Sequence, residues 1–360
     1  MVDYLERRLK KVRTELSRQR LDAVLLTDVR NVRYLSNFSG DDSWLVVTSR
    51  DAALLTDSRY IEQARAECRH CEIVERAGSL SQACREQLTS RGVHRAGFEA
   101  DSLTWGTWQA LQDDSTEWRP TSGLVEKLRR VKDPSEIRNI KRAVAVAEEC
   151  FRRATAGIRP GVTEVDVANE IEITLRRLGG DCSSFDTIVL FGERCSLPHG
   201  RPGRRVLKPG EPVLIDWGVR VGEYVSDLTR TLLPSTMNSR LEAVYRAVLA
   251  AQQAAISAAR GGVAARSVDM AARRSLKRRG LDVHFRHGLG HGVGMCVHEG
   301  PVLSRHSSEE LRAGMVVTIE PGVYIPGWGG VRIEDMVQIT GGGCKVLTSL
   351  PKQLKDVCVL

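Results

Sequence analysis

Apolar positions in the first part of the chain follow helical spacing in some segments and strand-like runs in others. Between Tyr4 and Arg20 the apolar residues recur at helical spacing, which predicts an amphipathic helix. Short apolar runs that follow predict buried strands, and the stretches after them predict further helices. The predicted strands cover 23–27, 44–48 and 53–56, and the predicted helices lie near 58–67 and 79–91. This alternation indicates an α/β domain whose sheet is largely covered.

The pattern of apolar positions changes near Pro134, where a long amphipathic helix is predicted to begin. Its apolar face consists of Ile137, Ile140, Ala143 and Ala147. Three further helices are predicted at about 163–178, 240–260 and 267–279, and the rest of the chain beyond residue 185 is rich in strands. Thr163 is expected to cap the first of these helices, and Gly280 to end the last. We therefore predict two domains, residues 1–127 and residues 128–360.

The composition agrees with two globular domains. A chain of 360 residues exceeds what one ordinary core accommodates. Its 42% hydrophobic and 27% charged residues are fractions typical of soluble globular proteins. The sequence lacks the long uncharged apolar run that a membrane span requires, so no membrane partner is expected. The N-terminus becomes charged at once, which disfavours a signal peptide.

Cysteine usage indicates a reducing compartment. The nine cysteines are scattered and odd in number, as expected for reduced thiols, and we predict a cytoplasmic protein. Cys68 and Cys71 form a single C-x-x-C without a second pair of matching spacing. Ordinary loop or helix cysteines are therefore favoured over a zinc site or a redox pair.

The net charge of +8 and the pI near 9.1 raise the question of an anionic partner. The basic residues are spread along predicted helices, without interleaved aromatic residues or a recognisable nucleic-acid motif. Solvated helix faces explain them better, and no nucleic-acid partner is expected.

Two aspartates in the second half stand next to apolar strand segments. Asp216 ends the run 213–216, and Asp227 follows after a segment in which Gly222 can supply a turn. Such a hairpin can bring both carboxylates to one side of a sheet. Two aspartates alone are also typical of ordinary hairpin ends, so this pair is weak evidence by itself.

A glycine- and histidine-rich segment adds further candidates. Residues 287–298 contain three histidines, His287, His291 and His298, together with four glycines that permit close approach of a ligand or backbone. Glu320 and Glu334 then occur in or beside apolar strands, where a buried charge is costly unless it is compensated. Ion pairs with nearby arginines, Arg332 among them, are one compensation, and divalent cations are another.

The residue types suit metal binding. Four carboxylates and one imidazole are ligands for a pair of divalent ions such as manganese, cobalt, iron or zinc. Two such ions, bridged by carboxylates, can hold a hydroxide between them and stabilise a tetrahedral oxyanion.

The order and surroundings of these five residues resemble those of the pita-bread metallopeptidases: methionine aminopeptidase, aminopeptidase P and prolidase. The segments 31–40 and 54–60 also resemble the N-terminal domain of creatinase, prolidase and aminopeptidase P, which ordinary methionine aminopeptidases lack. The resemblance implies a creatinase-like N-terminal α/β domain followed by a pita-bread catalytic domain. It also implies hydrolysis of the N-terminal bond of Xaa-Pro peptides or dipeptides by a metal-bridging hydroxide. Two metal ions, manganese first with cobalt, zinc or iron as alternatives, and a homodimer are expected.

The same resemblance implies a role for each candidate residue. Asp227 and Glu334 would contact both metals and Asp216 one of them. His291 and Glu320 would hold the other metal, with Glu320 also acting as general base. The substrate-contacting residues would be His199, which precedes the first aspartate, and His287 and His298, of which His298 would contact the scissile amide.

One position departs from the family pattern. Some prolidases carry an arginine where this chain has Val302, with Arg305 close by, so an aminopeptidase P-like preference stays open beside dipeptidase activity. Two other functions on the same fold are a metal-free hydrolase like creatinase and a non-catalytic peptide- or protein-binding module. Both are disfavoured because all five ligands are present.

Overall fold

The computed structural model describes residues 3–358. Contacts divide the chain into two compact units, with the division after Arg129. The predicted boundary between residues 127 and 128 falls inside the helix that ends at Arg129. Among the described residues, none of the helices has both the length and the apolar character that crossing a membrane requires.

The N-terminal unit alternates helices and strands, as its apolar pattern predicts. Its elements are α1 (Tyr4–Gln19), β1 (Ala23–Leu26), α2 (Val29–Ser36), β2 (Trp44–Thr48), β3 (Ala52–Thr56), α3 (Ile61–Glu67), β4 (Glu72–Glu75), α4 (Leu80–Ser90), β5 (Arg95–Glu99), α5 (Trp105–Leu111), β6 (Glu117–Thr121) and α6 (Leu124–Arg129). Within described residues 3–129 the strands form one sheet in the order β4-β3-β2-β1-β5-β6. Every residue of β1, β2 and β3 is buried, which confirms a covered α/β sheet.

The C-terminal unit begins with two long helices and continues mainly with strands. Its elements are α7 (Pro134–Thr155), α8 (Glu164–Arg177), β7 (Cys182–Ser183), β8 (Ile188–Phe191), β9 (Val213–Trp217), β10 (Val219–Val221), β11 (Tyr224–Val225), β12 (Leu228–Leu232), α9 (Ser239–Ala258), α10 (Ala265–Lys277), β13 (Gly290–Gly292), β14 (Glu299–Leu303), β15 (Val316–Ile319), β16 (Gly322–Ile325), β17 (Gly329–Arg332), β18 (Asp335–Ile339), β19 (Cys344–Val346) and α11 (Leu354–Val357). Two short 3₁₀ turns, Gly192–Ser196 and Asp282–His284, complete the described part of this unit.

Helix ends in this unit follow local signals. Asp133 and Glu136 form a capping box around Pro134, and Thr163 and Asp166 form a second one, which confirms the predicted cap. Gly280 has φ of 68° and follows the end of α10, as predicted. Helix α10 begins at Ala265, two residues before the predicted start, although its N-cap offers no side-chain hydrogen bond. There the Ala265 N–H donates to the carbonyl of Glu309, so a tertiary contact replaces the cap.

Two sheets of the C-terminal unit carry the candidate residues. Within described residues 130–358, one has the order β12-β9-β8 and the other β14-β13-β15-β18-β19. Helices α7 and α8 pack against the first sheet, and α9 and α10 contribute to the core beneath the second. Trp217 at the end of β9 stacks on Phe151 with ring centroids 4.5 Å apart and donates its indole N–H to the carbonyl of Ala147. The strand that carries Asp216 is thereby fixed to α7.

Candidate metal centre and active site

The paired strands β9 and β12 bring the two aspartates together. Asp216 lies directly opposite Thr229 in the antiparallel register, and Asp227 lies two residues before Thr229. Since side chains alternate along a strand and directly opposed residues share a face, Asp216, Thr229 and Asp227 point to the same side. Gly222 and Glu223, with φ of 55° and 74°, form the two-residue turn between β10 and β11 that the sequence predicts at Gly222.

The paired strands β15 and β18 bring in the two glutamates. Ile319 pairs with Asp335, so Glu320 follows one strand and Glu334 precedes the other at the same end of the ladder. The Glu334 N–H donates to the carbonyl of Thr229, which joins this end to the β9–β12 pair. The structure thus places the four carboxylates at one junction between two sheets.

Three of these carboxylates form a tight cluster. One oxygen from each of Asp216, Asp227 and Glu334 lies within 4.8 Å of the other two. His291, on β13, reaches this cluster through Nε2, which is 3.5 Å from Oδ2 of Asp227 and 3.3 Å from Oε1 of Glu320. His291 and Glu320 therefore border the three-carboxylate cluster without belonging to it.

Burial makes the cluster electrostatically costly. Burial and the neighbouring charge of Asp216 raise the pKa of Asp227 well above its usual range, and burial with the charge of Asp227 does the same for Glu334. The pKa of Asp216 is also raised, mainly by burial, although the charge of Arg332 opposes that rise. Among the described residues, Oδ1 of Asp216 and Oε1 of Glu334 are buried without a hydrogen-bond partner. Buried carboxylate oxygens without donors fit a site for divalent cations.

His291 and Glu320 form a charge-stabilised pair. Burial lowers the pKa of His291, but the hydrogen bond with Glu320 and the charge of Asp227 outweigh it and raise that pKa to about 9. Burial likewise opposes ionisation of Glu320, but His291 holds the pKa of Glu320 below its ordinary value. The Thr318 hydroxyl donates to Oε1 of Glu320 at 3.2 Å and accepts a hydrogen bond from the backbone N–H of His291 at 3.1 Å. The threonine therefore orients both residues.

Arg332 links the cluster, through Tyr324, to His287. Its guanidinium donates to Oδ2 of Asp216, to the hydroxyl of Tyr324 at 2.8 Å and to the carbonyl of Pro198 at 3.2 Å. Tyr324 in turn lies 3.0 Å from Nε2 of His287. Burial lowers the pKa of His287, which favours its neutral form.

His298 lies beside His291, and His199 lies next to a backbone carbonyl that Arg332 holds. The ring of His298 is centred 4.4 Å from that of His291, and burial with the charge of His291 lowers the pKa of His298. His199 is exposed, directly follows the Pro198 carbonyl that Arg332 holds, and exerts a charge effect on both His287 and His298. All eight predicted site residues therefore belong to one neighbourhood of the C-terminal unit.

Three residues of this neighbourhood are absent from the sequence-based prediction. Thr229, Thr318 and Tyr324 hold Glu334, Glu320 and Arg332 in place. Their only sequence signal is proximity to a predicted ligand: Thr229 and Thr318 each lie two residues from one, and Tyr324 lies four residues after Glu320. Hydroxyl residues in strands are too common for that signal to have singled them out.

Comparison with known proteins identifies the family. The model described as metallopeptidase family M24 matches residues 138–341, and the model described as the creatinase/prolidase N-terminal domain matches residues 8–131. The chain belongs to metallopeptidase family M24. The predicted architecture is confirmed: a creatinase-like N-terminal α/β domain precedes an M24 pita-bread catalytic domain.

Several relatives match this M24 peptidase over almost its whole length. The uncharacterized peptidase YqhT of Bacillus subtilis is 39% identical over 96% of this chain and 99% of its own. The Xaa-Pro dipeptidase of Pyrococcus horikoshii is 33% identical, with 98% and 100% covered. The solved structure of the Xaa-Pro dipeptidase from Bacillus anthracis superposes with a TM-score of 0.95 at 38% identity, with 97% and 99% covered. The X-Pro aminopeptidase from Thermotoga maritima gives a TM-score of 0.89 at 31% identity, with 94% and 99% covered.

The M24 peptidase is therefore a metallo-exopeptidase, similar to Xaa-Pro dipeptidases and prolidases. Membership of this family implies divalent metal ions, and the cluster of Asp216, Asp227 and Glu334 has the residue chemistry for them.

Proposed function

We propose that this M24 peptidase hydrolyses the N-terminal peptide bond of peptides whose second residue is proline, in dipeptides and in longer peptides. The observation that carries the proposal is the three-carboxylate cluster with two buried oxygens that have no partner among residues 3–358. Such a cluster is unfavourable without cations, because three buried carboxylates repel one another.

The proposed cation site uses all five predicted ligands. Asp227 and Glu334 would contact both ions, Asp216 would hold one, and His291 with Glu320 would hold the other. Two divalent cations at this position would activate a water molecule and polarise the scissile carbonyl. Manganese is the first candidate, and cobalt, zinc or iron offer the same ligand preferences.

The remaining residues act on the substrate and its protons. Glu320 would accept a proton from the attacking water, since its carboxylate is oriented by the hydroxyl of Thr318. His298 would donate a hydrogen bond to the scissile amide, while His199 and His287 line the substrate pocket. The contact between His287 and Tyr324 fixes the imidazole on the pocket wall.

One comparison and one chemical argument support the proposed preference for proline. Relatives named for Xaa-Pro cleavage match the chain along nearly its full length. Proline also removes the amide hydrogen of the scissile bond and fixes φ, so a pocket for it needs no acceptor for that hydrogen. Val302 occupies the position of the arginine that some prolidases carry, so the proposal includes longer peptides as substrates.

The alternatives account less well for the cluster. Neither a metal-free hydrolase nor a non-catalytic binding module accounts for the buried oxygens of Asp216 and Glu334 that lack a hydrogen-bond donor. Nothing in the described part of the chain favours either function.

The proposed setting is the cytoplasm, because nine free thiols fit a reducing compartment. The proposed assembly is a homodimer, which sedimentation would test.

A cleavage panel tests the proposed function. Xaa-Pro dipeptides, Xaa-Pro tripeptides and Met-Ala peptides are compared at equal concentration with added manganese, and the assay is repeated after metal stripping in chelator. We expect cleavage of both Xaa-Pro classes, dependent on metal. Full activity in chelator would contradict the two-metal proposal, and faster cleavage of Met-Ala peptides would contradict the proline preference.

A further inference from the structure

The loop 293–298, which joins β13 to β14 and carries His298, closes around the carboxylate of Glu299. One oxygen, Oε1, accepts the N–H groups of Met295 at 3.0 Å and Cys296 at 3.1 Å. The other, Oε2, accepts from the ammonium of Lys132 at 3.0 Å. A single side chain at the end of the loop therefore gathers two backbone donors from its beginning and one cation from a distant segment.

This ion pair is almost fully buried. The side chain of Lys132 is 1% exposed and that of Glu299 8% exposed. Lys132 is itself anchored, because its backbone N–H donates to the carbonyl of Gly314, just before β15. The pair thus connects the loop to the strand that leads to Glu320. Removing one partner of a buried pair leaves an uncompensated charge, so each partner constrains the other.

The start of the loop is shaped to fit this carboxylate. A Cβ atom on Gly294 would lie 2.7 Å from Oε2 of Glu299, so only glycine leaves the carboxylate in place. The carbonyl of Gly294 accepts the N–H of Val225, two residues before Asp227. The loop is therefore attached to the aspartate hairpin at one end and to the Lys132–Glu299 pair at the other.

We propose that Lys132 and Glu299 are positioning residues for His298: their buried ion pair fixes the loop so that the imidazole stays beside His291. The inference rests on the proposed function, in which His298 contacts the substrate. His298 lies between Cys296, whose backbone N–H the carboxylate accepts, and Glu299, which carries that carboxylate, so the hydrogen bond closes a short ring of backbone that includes the histidine. Displacement of a catalytic group by about 1 Å costs up to about 100-fold in rate.

The test is a double-mutant cycle between Glu299→Gln and His298→Ala, with Lys132→Met in parallel. Glu299→Gln keeps an oxygen for the two N–H groups and removes the charge that faces Lys132. We expect Glu299→Gln and Lys132→Met each to keep their bound metal and to lose kcat by about 10- to 100-fold with little change in KM. In the His298→Ala background the same substitutions should change kcat by less than about twofold. Additive losses would overturn the inference.

Glu148→Gln is the matched control. Glu148 is also buried, and its Oε1 accepts two successive backbone N–H groups, those of Ser349 and Leu350, in a segment that contains no histidine. Its effect on kcat should be the same in the wild-type and His298→Ala backgrounds. Coupling to His298 as strong as that of Glu299 would show a general stability effect and overturn the inference.

A second readout does not depend on turnover. The NMR signals of the His298 ring can be assigned in histidine-labelled protein by their absence in His298→Ala. Their chemical shifts should change in Glu299→Gln and in Gly294→Ala. The glycine substitution displaces the carboxylate without removing a charge. Unchanged ring signals in Gly294→Ala would overturn the positioning role, even if the charge variants fail to fold. If His298→Ala retains wild-type kcat, the substrate role of His298 fails, while the ring signals still decide whether Glu299 positions it.

Discussion

The hydroxyl of Thr229 donates a hydrogen bond of 2.7 Å to Oε2 of Glu334, across 105 positions of sequence. This bond occupies one oxygen of the carboxylate, and Oε1 is left buried without a partner among the described residues. Asp216 repeats the arrangement, with Oδ2 held by Arg332 and Oδ1 without a donor. In both residues one oxygen is held by a hydrogen bond from the protein, and the other is buried without a donor among the described residues.

Replacement of Glu334 by glutamine should make the metal-free protein more stable than the wild type and the protein in manganese less stable than the wild type. In metal-free protein the variant should unfold at a higher temperature than the wild type, because it removes one charge from three crowded carboxylates. With manganese at about 100 times its Kd, the wild type should gain about 2.7 kcal/mol and the variant much less. Calorimetry in chelator and in manganese measures both effects. Bound metal at wild-type stoichiometry in Glu334→Gln would contradict the role of this residue as a ligand.

The histidines should separate into a metal ligand and a substrate contact. His291→Ala should lose bound metal, because its Nε2 lies between the carboxylates of Asp227 and Glu320. His298→Ala should retain metal and lose kcat by about 100- to 10,000-fold, since its proposed role is toward the scissile amide. Metal analysis and kinetics on the same preparations check the division. Equal metal loss in both variants would refute it.

An arginine at position 302 should shift substrate preference toward dipeptides. Val302 is directly opposite His291 in the β13–β14 register and is 51% exposed, so its side chain shares the face of that histidine. A charged hydrogen bond to the free carboxylate of a dipeptide contributes about 1.5–3 kcal/mol, or roughly a tenfold or greater change in kcat/KM. The ratio of kcat/KM for Xaa-Pro to that for Xaa-Pro-Xaa measures the shift. Val302→Gln, which adds length without charge, is the control and should leave the ratio near that of the wild type.

Asp57 should contribute to the free energy of unfolding of the N-terminal domain, and this contribution should be lost in acid. Hydrogen bonds from Arg59, together with the charge of Arg76, hold the pKa of Asp57 at about 2, below its ordinary 3.8, despite opposing desolvation. A lowered pKa in the folded state stabilises the protein above the unfolded pKa, and the contribution is lost as the pH falls toward the folded value. The difference in free energy of unfolding between wild type and Asp57→Asn should therefore shrink between about pH 5 and about pH 2. Urea titrations across this range measure it, and a difference that is constant with pH would contradict the linkage.

Local patterns in the sequence determined much of the fold. Apolar spacing predicts α1 and the buried strands of the N-terminal domain, and capping residues predict where α8 begins and α10 ends. Each of these signals acts within a few residues, which is why it can be read without knowledge of the fold. The candidate ligands could also be predicted, because carboxylates and histidines in apolar or glycine-rich strands are unusual. Their individual roles remain predictions.

Only the tertiary structure decided how these residues are held. Arg332 reaches Asp216 across 116 positions, and Lys132 reaches Glu299 across 167. No periodicity encodes such partners, because they depend on which strands pair, in which register, and how two sheets meet. The sequence by itself determined which chemical groups the protein has and the local elements that carry them. The packing of the C-terminal unit determined which carboxylate oxygens receive a hydrogen-bond donor and which do not, and burial makes every missing partner costly.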